Sequence, residues 1–464
     1  MAATVVVADR AAEAGAESSS WEAECDMHVR SGRAVVLLAA LLCAGGLWLD
    51  GLAAASEESD VRLVTRERVL TRLRPTVLWE TLDVSRDGRR VGYAFGLGEK
   101  RWVTSDGQKR QRWDGTGVVV DGVVQGRYDA AGCVVFASNC RRVAWRAERG
   151  GKQFVVVDGE EGKMYDRIRS SKPRFSPDGG HVAYAAAEGA RHLVVVDGME
   201  GPGYESAGEI TFSPDGKRGA YVASRAGREF VVVDGVEGKE YEAVFGLAFS
   251  PDSRRLAYAA KQDGKWRGVI GNDEWGDYDW MNQPVFSGDG SRMGFGARRG
   301  EKDMTVIDGE EHSGIDGPVF SADGKHFSFA VHHAEACAAT VDGVTAQPYD
   351  AVWPRAFSPD GERFAYIARR GDRFMAVVDG VEGAEYSMVD NLVFSPDSAH
   401  VAYWAKRNGH WLLVIDGESA GEYDVYCRGS DGRAITKFEG PDTLWAVAHR
   451  KPDLVRVEAE VVEK

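Results

Sequence analysis

Apolar and polar residues along this chain alternate in short bursts, not with the period of a helix. The stretch 245–281 shows the pattern. Phe245-Gly-Leu-Ala-Phe249 is an apolar run, Pro251-Asp-Ser-Arg254 a polar break, Arg255-Leu-Ala-Tyr-Ala-Ala260 a second run and Gln262-Asp-Gly264 a second break. Trp266 to Ile270 and the segment around Tyr278 complete the unit. In the first break proline fixes φ and aspartate tolerates the bend; in the second, Asp-Gly readily takes the positive φ of a tight hairpin. The unit therefore predicts four antiparallel strands. In most units the third strand is continuously apolar, as in Phe230-Val-Val-Val-Asp234, which suits a strand covered on both faces.

The unit recurs. Phe175-Ser-Pro-Asp-Gly179 returns at Phe212–Gly216, Phe249–Ser253, Phe286–Gly290, Phe320–Gly324, Phe357–Gly361 and Phe394–Ser398, in steps of 37 residues with one of 34. Weaker copies stand at Ser85–Gly88, Ser138–Arg141 and Ser430–Gly432. A second marker keeps phase with the first. An aspartate of a Val-Asp-Gly type turn falls at Asp121, Asp158, Asp197, Asp234, Asp308, Asp342, Asp379 and Asp416, with Gly271 in the remaining unit. Seven residues later comes Tyr128, Tyr165, Tyr204, Tyr241, Tyr278, Tyr349, Tyr386 or Tyr423, with Ile315 as the exception. A single four-stranded sheet cannot bury both its faces, and radial stacking of such sheets does so. The fold expected is an all-β propeller of about nine to ten units over residues 76–464. One large ring, two smaller rings and a ring with outlying strands all satisfy the count. The long step from Ser85 to Ser138 predicts a longer loop around Lys100–Gly115, and the recurring tyrosine is expected to wedge between blades.

Composition agrees: the 464 residues include 56 glycines and only 14 prolines, so many tight turns and no disordered Pro/Gly tract. Net charge is −15 overall, with 54 basic and 65 acidic side chains after residue 55. Such a chain repels nucleic-acid phosphates, and no run of basic residues offsets this. Six cysteines form no CxxC, which leaves zinc knuckles and thioredoxin-type sites without support. Cys133 and Cys140 are close enough to bridge in an exported protein; the favoured reading keeps both as thiols.

Upstream of the repeats, His28-Val-Arg30-Ser-Gly-Arg33 precedes an apolar run from Ala34 to Trp48, followed by Ala53-Ala54-Ala55. Residues 27–55 thus have the basic, apolar and small-residue regions of a secretory signal, too short for an ordinary membrane span. This places the protein outside the cytoplasm, in the periplasm or secreted. An uncleaved membrane anchor is the rival reading, and Leu41-Leu42-Cys43 faintly matches a lipidation site. Residues 1–26 fit no signal architecture and read as a disordered or misannotated extension before a start at Met27. Residues 56–75 read as a linker.

The Phe-Ser-Pro-Asp-Gly-x-x-x-Ala-Tyr pattern resembles the TolB-type propeller repeat, a relative of WD repeats, and is similar to the repeat in propeller domains of prolyl-oligopeptidase-like enzymes. The resemblance covers roughly residues 76–460 and implies the fold. It implies a cell-envelope complex only through TolB itself, whose six blades and separate N-terminal domain this chain lacks. The Gly-His and Trp-Asp signatures of WD repeats are missing.

Candidate chemistry is sparse. There is no G-x-S-x-G elbow and no room for a hydrolase domain. The Asp-Gly-x-Glu-Gly turns repeat Glu161, Glu200, Glu237, Glu311 and Glu382, which ring symmetry would gather into an acidic face or which simply keep a surface soluble. Trp275 and Trp280, with Asp273 and Glu274, lie in one atypical unit and mark either a binding patch or core packing. His332, His333, Glu335 and Cys337 are weak metal-ligand candidates at an eroded turn, and no cofactor is expected. The reading that follows is a non-enzymatic, exported propeller that binds or scaffolds a protein or peptide through its end faces. Its rivals are a glycan- or peptide-acting enzyme with paired carboxylates in the central channel, and a TolB-like envelope component.

Overall fold

A computed structural model describes residues 61–463 apart from 106–107, 171, 272, 315, 334–335 and 429–433. The expectations for residues 1–26 and 27–55 fall outside these, as does the Ser430–Gly432 turn. The described residues form ten antiparallel sheets and no helix. Blades 1 to 9 are residues 77–128, 130–161, 167–200, 206–241, 243–278, 280–313, 319–345, 351–382 and 388–423. Blade 10 is residues 425–463 with a strand borrowed from the start of the described chain. In blades 3, 6 and 10 the first strand is broken into two short pieces on the same partner.

The borrowed strand corrects the linker reading of residues 56–75. Val61–Arg72 pairs antiparallel with 453–463, from Val61↔Glu463 to Arg72↔Asp453, and supplies the fourth strand of blade 10. Ten buried apolar clusters fill the spaces between consecutive sheets. One joins Tyr93 and Val119 of blade 1 to Trp445 and Val447 of blade 10. The ten blades therefore close a single ring, which covers the sheet faces that an open array would leave exposed at its two ends. The insertion at Lys100–Gly115 is also corrected. It lengthens the second and third strands of blade 1 into an extended ladder, from Lys100↔Trp113 to Ser105↔Gln108, in place of a loop.

First strands of adjacent blades approach one another, as between blades 1 and 2 or 4 and 5, so they run nearest the axis. The Ser-Pro-Asp turn joins first to second strand and the Asp-Gly turn joins third to fourth. Antiparallel order puts both on one end of the ring. Asp234 at φ 51° and Gly235 at φ 82° show the paired positive angles of a tight hairpin, which aspartate and glycine tolerate best. The other end carries the second-to-third hairpins and the blade-to-blade connections.

Candidate functional site

The repeated polar residues are spent on fixing the turns and joining blades. At each Ser-Pro-Asp turn the serine is buried: Ser213 donates to Asp215 at 2.6 Å and accepts from the Arg218 amide at 2.9 Å. Arg218 then donates to Asp234 at 2.8 Å and to the Ser253 and Arg254 carbonyls of the next blade at 3.2 and 3.0 Å, while its guanidinium lies over Phe249. Arg90, Arg142, Arg292 and Arg363 pair with their own Asp-Gly aspartates likewise, and His181, His326 and His400 take the same place.

The repeated Glu and Tyr form a second joint. Tyr165 donates to Glu200, Tyr241 to Glu274 and Tyr349 to Glu382, in each case on the following blade, at 2.8–3.0 Å. Cations close on these and the equivalent carboxylates: Arg149 on Glu161, Lys163 on Glu200, Arg225 on Glu237, Lys239 on Glu274, Arg299 on Glu311 and Arg370 on Glu382, all within 2.9 Å. Lys163, Arg225, Lys239 and Arg370 hold Glu200, Glu237, Glu274 and Glu382 below the usual carboxylate range. Burial first, and the accepting carboxylate second, push the Tyr165 and Tyr241 phenols up. The acidic positions are thus individually neutralised. A signal in the sequence announces this: in the Arg149–Glu161, Arg225–Glu237, Arg299–Glu311 and Arg370–Glu382 pairs the arginine precedes its glutamate by 12 residues.

The other expected residues are dispersed. Trp275 is part-buried in the interface of blades 5 and 6, on a fourth strand, and Asp273 is exposed beside it. Trp280 starts the first strand of blade 6, so it belongs to the axial edge while Trp275 belongs to the outer one. His332 is exposed, whereas Cys337 is buried between blades 7 and 8; Glu335 and the His333 side chain are not described. Among the described residues no three His, Cys, Asp or Glu side chains form a metal-ligand group. Cys133 and Cys140 are unbridged thiols.

Departures from the repeat concentrate on the first strands. Trp79, Trp280 and Trp353 are 48, 47 and 43 % exposed, far more than the buried Trp404 and Trp445. Trp353 occupies the position filled by Gly132 and Gly208 in blades 2 and 4, and Trp79 stands one position further along the first strand of blade 1. Met388 and Val425 match the position of Trp280 and are also exposed. Blades 6, 8, 9, 10 and 1 thus present apolar side chains along the axial edge. The carboxylates there have local duties: Asp390 of blade 9 accepts from Tyr426 at 2.5 Å, and Glu209 of blade 4 accepts from the Leu247 amide at 3.1 Å.

No protein-family model matches the chain, and no curated protein matches it. Among solved structures it is similar to a eukaryotic initiation factor, at 11 % identity over 66 % of this chain and 86 % of that one, with a TM-score of 0.43. It is similar to TolB from Acinetobacter baumannii at 15 % identity, over 63 % of this chain and 80 % of that one, with a TM-score of 0.27. The β-propeller domain of the Trilobed protease from Pyrococcus furiosus matches at 15 % identity, over 54 % of this chain and 93 % of that one, with a TM-score of 0.30. At these values nothing about ligand or activity follows.

Proposed function

We propose that this chain is an exported, non-enzymatic propeller that binds a protein or peptide segment along the axial edge of its ring. The observation that carries the reading is the half-exposure of Trp79, Trp280 and Trp353 on first strands, with Met388 and Val425 exposed at the position of Trp280 in blades 9 and 10. Large aromatic side chains left in water at a concave, ringed edge are the residues that give most binding energy when a partner covers them. The consensus polar residues do not compete for that role, because they are committed to partners within their own blade or on the next. Export rests on the basic, apolar and small-residue succession in residues 27–55.

A photo-crosslinking residue placed at 280 or 353 in producing cells tests the reading. The expected product is a defined polypeptide adduct at both sites, absent when the same residue stands at 199, an exposed turn position on the opposite end. Replacing Trp79 and Trp353 together by alanine is expected to weaken capture of that partner about tenfold or more. Equal labelling at 199, or none at 280 and 353, overturns the proposal. Cell fractionation with and without residues 27–55 tests export separately.

A further inference from the structure

Blade 4 lacks a side chain that blades 1 to 3 and 5 to 9 each supply to the interface before them. The residue that opens the second strand, opposite the end of the first, is valine in blades 1, 2, 3 and 9 (Val91, Val143, Val182, Val401). It is Leu256 in blade 5, Met293 in blade 6, and Phe327 and Phe364 in blades 7 and 8. Each packs into the apolar cluster shared with the preceding blade. In blade 4 the position is Gly219, paired with Phe212. Side chains two residues apart on a strand share a face, and Tyr221 and Ala223 face blade 3, so the side chain is missing from the interface of blades 3 and 4. The backbone does not demand glycine here. Its φ lies outside the left-handed region, and a Cβ added at Gly219 would come no nearer than 3.9 Å to the Phe212 ring, its nearest neighbour.

The gap is a cavity of about 250 Å³. Ala183, Val194 and Val196 of blade 3 form one wall, and Ile210, Phe212 and Tyr221 of blade 4 the other. Its mouth is at the Ser-Pro-Asp end of the ring, among His181, Lys217, Arg218 and Asp234. These charged groups are either bonded to protein partners or in water. His181 Nδ1 pairs with Asp197 at 2.6 Å, Arg218 donates to Asp234 at 2.8 Å, and Lys217 is exposed. The walls are aliphatic and aromatic. Water in such a space finds few hydrogen-bond partners, and an apolar ligand that displaces it gains affinity.

We propose that this cavity binds a small uncharged aromatic molecule, seated in the space that the corresponding side chain occupies in other blades. An apolar cavity of about 150 Å³ takes one benzene ring, so the larger volume here takes a substituted or fused ring. Facing sheets bound a slot, and Phe212 and Tyr221 offer ring surface to a flat ligand. Glycine inside a strand weakens it and often marks the close approach of a ligand. An ionised group between these walls would go unpaired, which selects against charged ligands. The site lies between blades 3 and 4, apart from the exposed tryptophans of blades 1, 6 and 8, and does not rest on the partner-binding reading.

Isothermal titration of the purified chain with indole tests the site, with uracil, a flat but polar ring, in a parallel titration. Saturable one-to-one binding of indole is expected, and uracil should bind at least about tenfold more weakly, because the walls leave its polar groups unpaired. Gly219→Val and Gly219→Leu install the residue types of blades 3 and 5 and fill the space, and each should weaken indole binding at least about tenfold. Without indole both should raise the thermal midpoint by about 1–2 °C, since they fill a void and restrict the unfolded chain; this separates blocked binding from misfolding. No saturable binding, equal binding of uracil, indole affinity indifferent to both substitutions, or a midpoint lowered by both overturns the proposal.

Discussion

The joint between blades 4 and 5 and the seam that closes the ring solve one problem in two ways. Between blades 4 and 5, Tyr241 donates to Glu274 on the next fourth strand, and Arg218 braces the next Ser-Pro-Asp turn. At the seam, Tyr423 of blade 9 donates at 3.0 Å to Glu67, 356 positions earlier in the chain, and Arg450 closes on the same carboxylate at 2.7 Å. The guanidinium of Arg450 also lies 4.9 Å from the Tyr423 ring centroid, as Arg370 lies over Tyr349. The tyrosine–carboxylate–arginine joint is therefore required by the spacing between blades, whichever part of the chain delivers the carboxylate. The brace at the other end is rebuilt differently. Arg456, on the third strand of blade 10, donates to the Asp87 carbonyl of blade 1 and stacks on Trp445 at 4.6 Å. Its side chain is 5 % exposed against 35 % for Arg218, so the seam relies on a buried cation where the repeat relies on a half-exposed one.

The strongest way to break the comparison is to remove the borrowed strand. Deleting residues 61–72 strips the ladder from Val61↔Glu463 to Arg72↔Asp453 and leaves 453–463 as an unpaired edge. It also uncovers part of the cluster around Val455, Val457 and Val461, against which Leu63 packs. With two or three aliphatic side chains at about 1.5–3 kcal/mol each, the loss is on the order of 5 kcal/mol, accompanied by edge-to-edge aggregation. Chemical denaturation and light scattering measure both. A truncated chain as stable and monodisperse as the parent would show that the ring does not depend on its closing strand.

This strand was the part of the fold least legible in sequence, for a physical reason. Repeat markers report local turns, and Ser213-Pro-Asp-Gly216 or Asp234-Gly235 declares its hairpin without reference to anything distant. Val61–Arg72 has no turn of its own within the repeat, and its partner lies at the opposite terminus, so no local pattern betrays the pairing. The Lys100–Gly115 insertion failed for a related reason: extra length between two strands reads equally as loop or ladder. The interface role of the tyrosines was legible because a regularly spaced aromatic needs regular cover. The candidate sites were less so. Trp275 and Trp280 are close in sequence but fall on the outer and axial edges of neighbouring blades.

A sharper test compares the two braces directly. Arg456→Ala removes a buried guanidinium that contacts the Asp87 carbonyl, Trp445, Glu439 and Glu458, and is expected to cost about 3 kcal/mol. Arg218→Ala removes a half-exposed one and should cost about 1 kcal/mol. Urea midpoints at constant slope give both values. Equal losses would mean that burial at the seam adds nothing to the brace.

The finest comparison sets Glu67→Gln against Glu382→Gln. Each glutamate accepts from an interface tyrosine and pairs with an arginine of its own blade, and each is about 31 % exposed, so both variants should lose a similar 0.5–1 kcal/mol at pH 7, about the worth of a part-exposed ion pair. Arg370 holds Glu382 below the ordinary carboxylate range in the folded chain. Its ionised form is therefore favoured by folding: the stabilisation is fully present above the unfolded pKa and disappears as pH falls through the lowered folded one. Below that point the protonated parent and Glu382→Gln should have the same stability, since both then carry a neutral group at the joint. Thermal unfolding from pH 7 down to pH 3 follows the convergence. A Glu67→Gln variant that stays far less stable than Glu382→Gln across that range would show that the seam carries a burden the repeated joints do not share.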